Sequence, residues 1–107
     1  MFFDNAHYYR LLDECRRQEI SVPIIPGLKI LTGKKQLTSI PRYFYCEIPE
    51  ALADEALAAD DDQVRQVGVE WALDQARDLL GNGAPSLHFY VMGNARAVSA
   101  VVPRLGL

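Results

Sequence analysis

Apolar positions along the chain switch between a helical and a strand period. Tyr8, Leu11, Leu12 and Cys15 fall at i, i+3, i+4 and i+7, one face of a helix. Asp4 or Asn5 is placed to cap that helix, and Asp13 and Arg17, four apart on its outer side, can pair weakly. Ahead of it, Met1-Phe2-Phe3 reads as the end of a strand. Behind it, Val22-Pro23-Ile24-Ile25-Pro26-Gly27 is a short β-branched run bracketed by prolines. Proline breaks a helical ladder, so the run predicts a strand buried on both faces, as in parallel sheets under helices. Pro26-Gly27 ends this strand. Leu28 to Gly33 then form a loop at its carboxyl end, where parallel α/β folds hold their ligands.

The helical period returns from Gly33 to about Ile40, with Thr32 as its cap and Pro41 as its stop. Lys34 and Lys35 sit in its first turn, against the helix dipole, a placement that suits an anionic ligand or simply solvated lysines. Tyr43, Phe44 and Tyr45 belong to a connector packed on the core. Pro49 opens a helix to about Ala59. Asp60-Asp61-Asp62 cap the next one; no spaced oxygen-ligand loop follows that would make them a metal site. The longest element runs from Asp62 to Leu80, with Val64, Val67, Trp71, Leu79 and Leu80 on its apolar side and Gly81 as a left-handed cap. Ser86 to Met92 is a strand, Leu87, Phe89 and Val91 on one side, His88, Tyr90 and Met92 on the other. Gly93 and Asn94 turn into a last helix, Ala95 to Leu105, with Val98, Val101, Val102 and Leu105 facing inward. Strand end, helix, strand, helices, strand, helix is an α/β order with parallel strands, which a doubly wound sheet and a (β/α)8 barrel accommodate equally.

Composition narrows the function. The chain has 107 residues, half of them hydrophobic and 23% charged, the balance of one globular unit covering 1–107. A net charge of -3 and a pI near 5.2 argue against a nucleic-acid partner, which calls for a basic face. No apolar stretch approaches the roughly 18 residues of a membrane span. Met1-Phe2-Phe3-Asp4 lacks the basic leader of a signal peptide. Cys15 and Cys46 match no metal spacing and fit a reducing cytoplasm.

Several segments, read in order, carry a family resemblance. They are Phe2-Phe3-Asp4, Val22 to Gly27, Lys35-Gln36, Ile48-Pro49, Val67-Gly68-Val69-Glu70, His88-Phe89-Tyr90 and Leu105-Gly106-Leu107. Together they resemble the carboxyl-terminal part of the methylenetetrahydrofolate reductase family. The resemblance implies a fold, the carboxyl-terminal third of a (β/α)8 barrel with strands six to eight, unable to close by itself. It implies a parent flavoenzyme that reduces 5,10-methylenetetrahydrofolate to 5-methyltetrahydrofolate with NAD(P)H through FAD, a cytoplasmic oxidoreductase of one-carbon metabolism and methionine biosynthesis.

Four substrate-side positions follow from the same resemblance. Gln36 matches a glutamine that hydrogen-bonds the folate pterin, as an amide can. Ile40 stands where many members carry a phenylalanine packed on the ligand, and Met92 where an apolar residue lies against it. Asn94 stands where many members have an arginine that meets the folate glutamate tail; Lys34, Lys35 and Arg96 are the substitutes for the missing charge. His88 and Tyr90 have no partner carboxylate at a defined spacing and read as packing residues. The family's general acid and nearly all its flavin contacts belong to the earlier part of the barrel, and no Gly-rich phosphate loop here replaces them. A further substrate glutamine would fall immediately ahead of Met1, which points to a severed or mis-started reading frame. The isolated chain is therefore expected to be inactive, with no catalytic residue and weak or absent flavin binding. The rival reading is a non-catalytic partial-barrel module that pairs with itself or with a separately encoded amino-terminal piece.

Overall fold

Prolines decide where the sheet can form. Pro23 and Pro26 have no N–H to donate, and the parallel ladder begins only beyond them, at β1 (Gly27–Leu28), which pairs with β2 (His88–Phe89). The Pro26 carbonyl still accepts from the His88 N–H at 3.0 Å, and the Leu28 carbonyl from the Tyr90 N–H at 2.9 Å. Phe2 bridges Leu28 in parallel on the other side. The structure, a computed structural model, describes residues 1–106, so Leu107, the end of the last matching segment, lies outside the described residues. Around the strands run α1 (Asn5–Arg17), α2 (Gln36–Phe44), α3 (Glu50–Ala58), α4 (Val64–Gly81) and α5 (Arg96–Val101), with 3₁₀ turns at Asp61–Gln63 and Val102–Leu105. The class is α/β with parallel strands.

The expected strand at Val22 to Gly27 is displaced. Val22 is 58% and Ile25 54% exposed, whereas Leu28, Ile30 and Leu31, expected in a loop, are buried. These three residues reach all three apolar clusters. Leu31 joins Phe3, Ile40 and Leu52; Ile30 joins Leu73 and Val101; Leu28 joins Tyr8 and Leu79. Helix α4 also runs through every cluster, with Val64 in the first, Val69, Ala72 and Leu73 in the second, and Ala76 and Leu79 in the third. At its closest approach, Gly68 lies directly on the backbone of Leu31. A methyl there would fall on the Leu31 carbonyl oxygen and 2.7 Å from its carbon. Glycine is required at that site by space.

Other expectations are corrected in detail. Asp4 caps α1, accepting from the Ala6 N–H at 2.9 Å. However, Leu11 is 54% exposed, and Arg17 pairs with Glu14 at 3.0 Å rather than with Asp13. Pro41 does not stop α2, which continues to Phe44 before Tyr45 turns left-handed at φ 52°. Losing one ladder bond is tolerated because Ile40 anchors the helix in the first cluster. Thr32 does not cap it; the N-cap is Lys35. Pro49 is the N-cap of α3 and not its first helical residue. The Asp60–Asp62 carboxylates make no capping bond; Asp61 instead meets Lys34 at 3.4 Å. Helix α4 runs through Gly81, and the left-handed residue is Gly83, at φ 88°. There the Gly83 and Ala84 N–H groups close back on the carbonyls of Leu80 and Leu79 in a Schellman pattern. The strand expected over Ser86 to Met92 pairs only at His88–Phe89, leaving Val91 46% exposed. Val102 is 40% exposed because Pro103 tightens the last turn into a 3₁₀ helix.

A polar seam ties the chain's start to α4. Trp71 Nε1 donates to Phe3 O at 2.8 Å, and Gln75 Nε2 donates to Phe2 O and to Asn5 Oδ1. Asn5 Nδ2 and the Tyr9 hydroxyl both donate to Asp78 Oδ2, at 2.9 and 2.7 Å. Burial first, and the Asp78 carboxylate second, push the Tyr9 hydroxyl up to about 12, while the donors from Tyr9 and Asn5 hold Asp78 below the usual carboxylate range.

Two predictions follow from this packing. Gly68→Ala lowers stability by about 3 kcal/mol or more, since a backbone shift is the only relief; chemical denaturation measures it. Folding favours protonated Tyr9, so its contribution is complete below its ordinary value of 10.0 and fades as pH rises through about 12. Asp78 acts in the opposite sense: its contribution is present above the ordinary carboxylate value and fades as acid titrates its lowered one. Tyr9→Phe therefore lowers stability by about 1 kcal/mol at neutral pH and flattens the loss of melting temperature at alkaline pH.

Candidate functional site

Two loops meet beyond the carboxyl ends of β1 and β2. After β1, the buried run ends at Leu31 and the chain turns through Thr32 to Lys35 into α2. Gln36 shapes that turn: its Oε1 accepts from the Thr32 N–H at 2.7 Å, and its Nε2 donates to Thr32 Oγ1 at 3.1 Å. The first-turn N–H groups of α2, which a Thr32 cap was expected to meet, donate instead to the backbone carbonyls of Gly33, Lys34 and Lys35. After β2, the chain passes Tyr90, Val91 and Met92 into a turn at Gly93, whose φ is 102°. Asn94 Oδ1 then accepts from the Arg96 N–H at 3.1 Å, starting α5.

Between the loops lies a cavity of about 140 Å3 whose lining includes Lys29, Thr32, Gln36, Arg65, Met92 and Asn94. Gln36, Met92 and Asn94 are thus brought together. Ile40 is not: it is 3% exposed within the first apolar cluster and does not line the cavity. Gln36 spends its amide oxygen and one amide hydrogen on its own loop, and Asn94 its amide oxygen, so the second amide hydrogen of Gln36 and the amide nitrogen of Asn94 are what a ligand could meet. Lys29 and Arg65 are the additional residues. Lys29 is only 8% exposed, and neither cation makes an ion pair among the described residues. Among the described residues, no carboxylate lines the cavity. A single lysine inside the buried run Leu28-Lys29-Ile30-Leu31 was the sequence signal for this group.

Tyr90 lies over Gly27, where a methyl would come within 2.5 Å of its ring, and stacks edge-on with His88 at 4.6 Å. The two rings pack on one another and on the strand, although both remain exposed. Among the described residues, no set of His, Cys, Asp and Glu could hold a metal. Burial pushes the Cys46 thiol up, away from the reactive thiolate. At about 140 Å3 the cavity encloses neither a flavin nor a whole folate and is part of a larger site, since pockets for ligands of drug size span roughly 300–1,000 Å3.

The methylenetetrahydrofolate reductase family model matches residues 1–106. The chain belongs to that family. It is similar to a probable methylenetetrahydrofolate reductase (NADPH) of Caenorhabditis elegans, 34% identical over 110 residues, covering all of this chain and 17% of the relative. Methylenetetrahydrofolate reductase 1 of Schizosaccharomyces pombe is 31% identical, again over the whole chain and 18% of the relative. The 5,10-methylenetetrahydrofolate reductase of Escherichia coli is 32% identical over 99% of this chain and 36% of its own length. The chain thus spans about a sixth to about a third of the length of these relatives.

Gln36 carries a structural load that is separable from any ligand. Gln36→Ala removes both bonds to Thr32 and lowers stability by about 1–2 kcal/mol, and Thr32→Val, which removes only the hydroxyl, by about half of that. Thermal melts of the two variants in the absence of ligand test this.

Proposed function

We propose that this chain is the carboxyl-terminal wall of a methylenetetrahydrofolate reductase barrel, carrying its sixth, seventh and eighth strands. The parent enzyme reduces 5,10-methylenetetrahydrofolate to 5-methyltetrahydrofolate with NAD(P)H. FAD, held by barrel residues outside this chain, supplies the redox chemistry. This chain's task is on the folate side: Gln36 offers an amide edge to the pterin, Met92 an apolar surface, and Asn94 a neutral donor.

The observation that carries this reading is the convergence of Gln36, Met92 and Asn94 on one cavity at the carboxyl ends of adjacent parallel strands. A second feature supports an incomplete barrel. Tyr90, Val91 and Met92 are 40, 46 and 61% exposed in the segment that leaves β2, an apolar border suited to further barrel elements. Among the described residues no helix is long and apolar enough to cross a membrane. The free thiols of Cys15 and Cys46 suit a reducing cytoplasm.

Production of the 107-residue chain alone and together with the preceding barrel strands tests the proposal. Alone, the chain carries no flavin and reduces no methylenetetrahydrofolate; with the other strands, both properties return. Stoichiometric flavin on the chain alone would sink the proposal. A flavin-free, cooperatively melting homodimer that gains nothing from those strands would favour the self-associating module.

A further inference from the structure

Two cations that make no ion pair among the described residues share the cavity beside Asn94. Lys29 stands one residue beyond β1 and is 8% exposed. Arg65 stands in the first turn of α4, itself exposed. Both line the cavity, and none of its other polar side chains among the described residues, Thr32, Gln36, Tyr90 and Asn94, is a carboxylate. The Lys29 stem is covered while its ammonium is not among the buried unpartnered atoms and stays open to the cavity, and no carboxylate of this chain reaches it among the described residues.

The cations expected to compensate for the uncharged Asn94 are elsewhere. Lys34 is committed to Asp61 at 3.4 Å and to the Leu57 carbonyl, and neither Lys35 nor Arg96 lines the cavity. We propose that Lys29 and Arg65 form an anion seat for a ligand carboxylate, with Asn94 as a neutral donor beside them, so that charge recognition comes from the strand β1 side of the cavity. This rests on the folate reading for the identity of the ligand, whose glutamate tail supplies the carboxylate. A carboxylate suits the seat better than a phosphate. Phosphate sites cradle their ligand in successive backbone N–H groups of a Gly-rich loop, and this cavity is lined by side-chain donors.

The experiment uses the polypeptide as its gene encodes it and titrates it with glutarate, inorganic phosphate, folate and pteroate, which lacks the glutamate tail. Glutarate binds more tightly than phosphate. Lys29→Met, close in volume to the original, weakens glutarate about 10- to 100-fold; Lys29→Arg retains most of the affinity. Arg65→Gln, an exposed change harmless to folding, weakens it about threefold. Unchanged glutarate affinity in both Lys29→Met and Arg65→Gln overturns the proposal, as does tighter binding of phosphate than of glutarate. If Lys29→Met fails to melt cooperatively, Arg65→Gln alone decides. Glutarate binding that depends on Lys29, without preference for folate over pteroate, retains the seat and rejects the folate reading. A folate preference equally strong in Lys29→Met retains the folate reading and rejects the seat.

Discussion

The structure depends on one close approach, the backbone of Gly68 against the carbonyl of Leu31. A helix normally stands off its neighbour by the length of its side chains. Here α4 has none at the contact, so its axis settles directly on the segment leaving β1. That proximity buries the run from Leu28 to Leu31 and lets α4 contribute to every apolar cluster. It also sets the height at which the chain leaves the core and turns through Thr32 into α2. The cavity's geometry is therefore inherited from a packing contact one residue behind it.

Hydrogen bonding alone would not hold the strands. Each contributes two residues to the ladder, and so short a ladder is only marginally stable in water. What substitutes is the seam along α4, where Trp71 and Gln75 satisfy the carbonyls of Phe3 and Phe2 and the carboxylate of Asp78 gathers Asn5 and Tyr9. The first strand residues and α1 are fastened to the helix instead of to a long strand partner. Polar groups hold the chain's start to α4, and apolar contacts under Gly68 hold its middle.

Membership in the methylenetetrahydrofolate reductase family gives the cavity its context. Its amides are partly occupied by their own loops, Gln36 with Thr32 and Asn94 with Arg96. This fixes their orientation at the expense of one acceptor each and, for Gln36, of one donor as well. The charge comes from Lys29 and Arg65, on different elements, which only the packing of α4 onto the β1 exit brings together. One contact thus organises both the core and the charged side of the site.

Local chemistry was legible in the residues themselves. The Asp4 cap of α1, the strand end at Phe2, the helical character of the five longer helices and the α/β order all follow from periods and caps that a few neighbouring residues determine. Resemblance added Gln36, Met92 and Asn94, which share a cavity. Quantities that depend on a distant partner were not legible. The β1 register moved past Pro26 because the donors that pair with this strand sit at His88 and Tyr90. Leu11 faces water although its period matches Tyr8, and Ile40 turns into the core rather than toward the cavity. Gly81 and Gly83 are equally good caps in isolation; only the closing bonds to Leu79 and Leu80 choose Gly83. The sequence by itself determined which segments coil and which extend, because those preferences act over a few residues. The tertiary structure decided which faces are buried and which cations meet, because both are set by how closely α4 can approach Leu31.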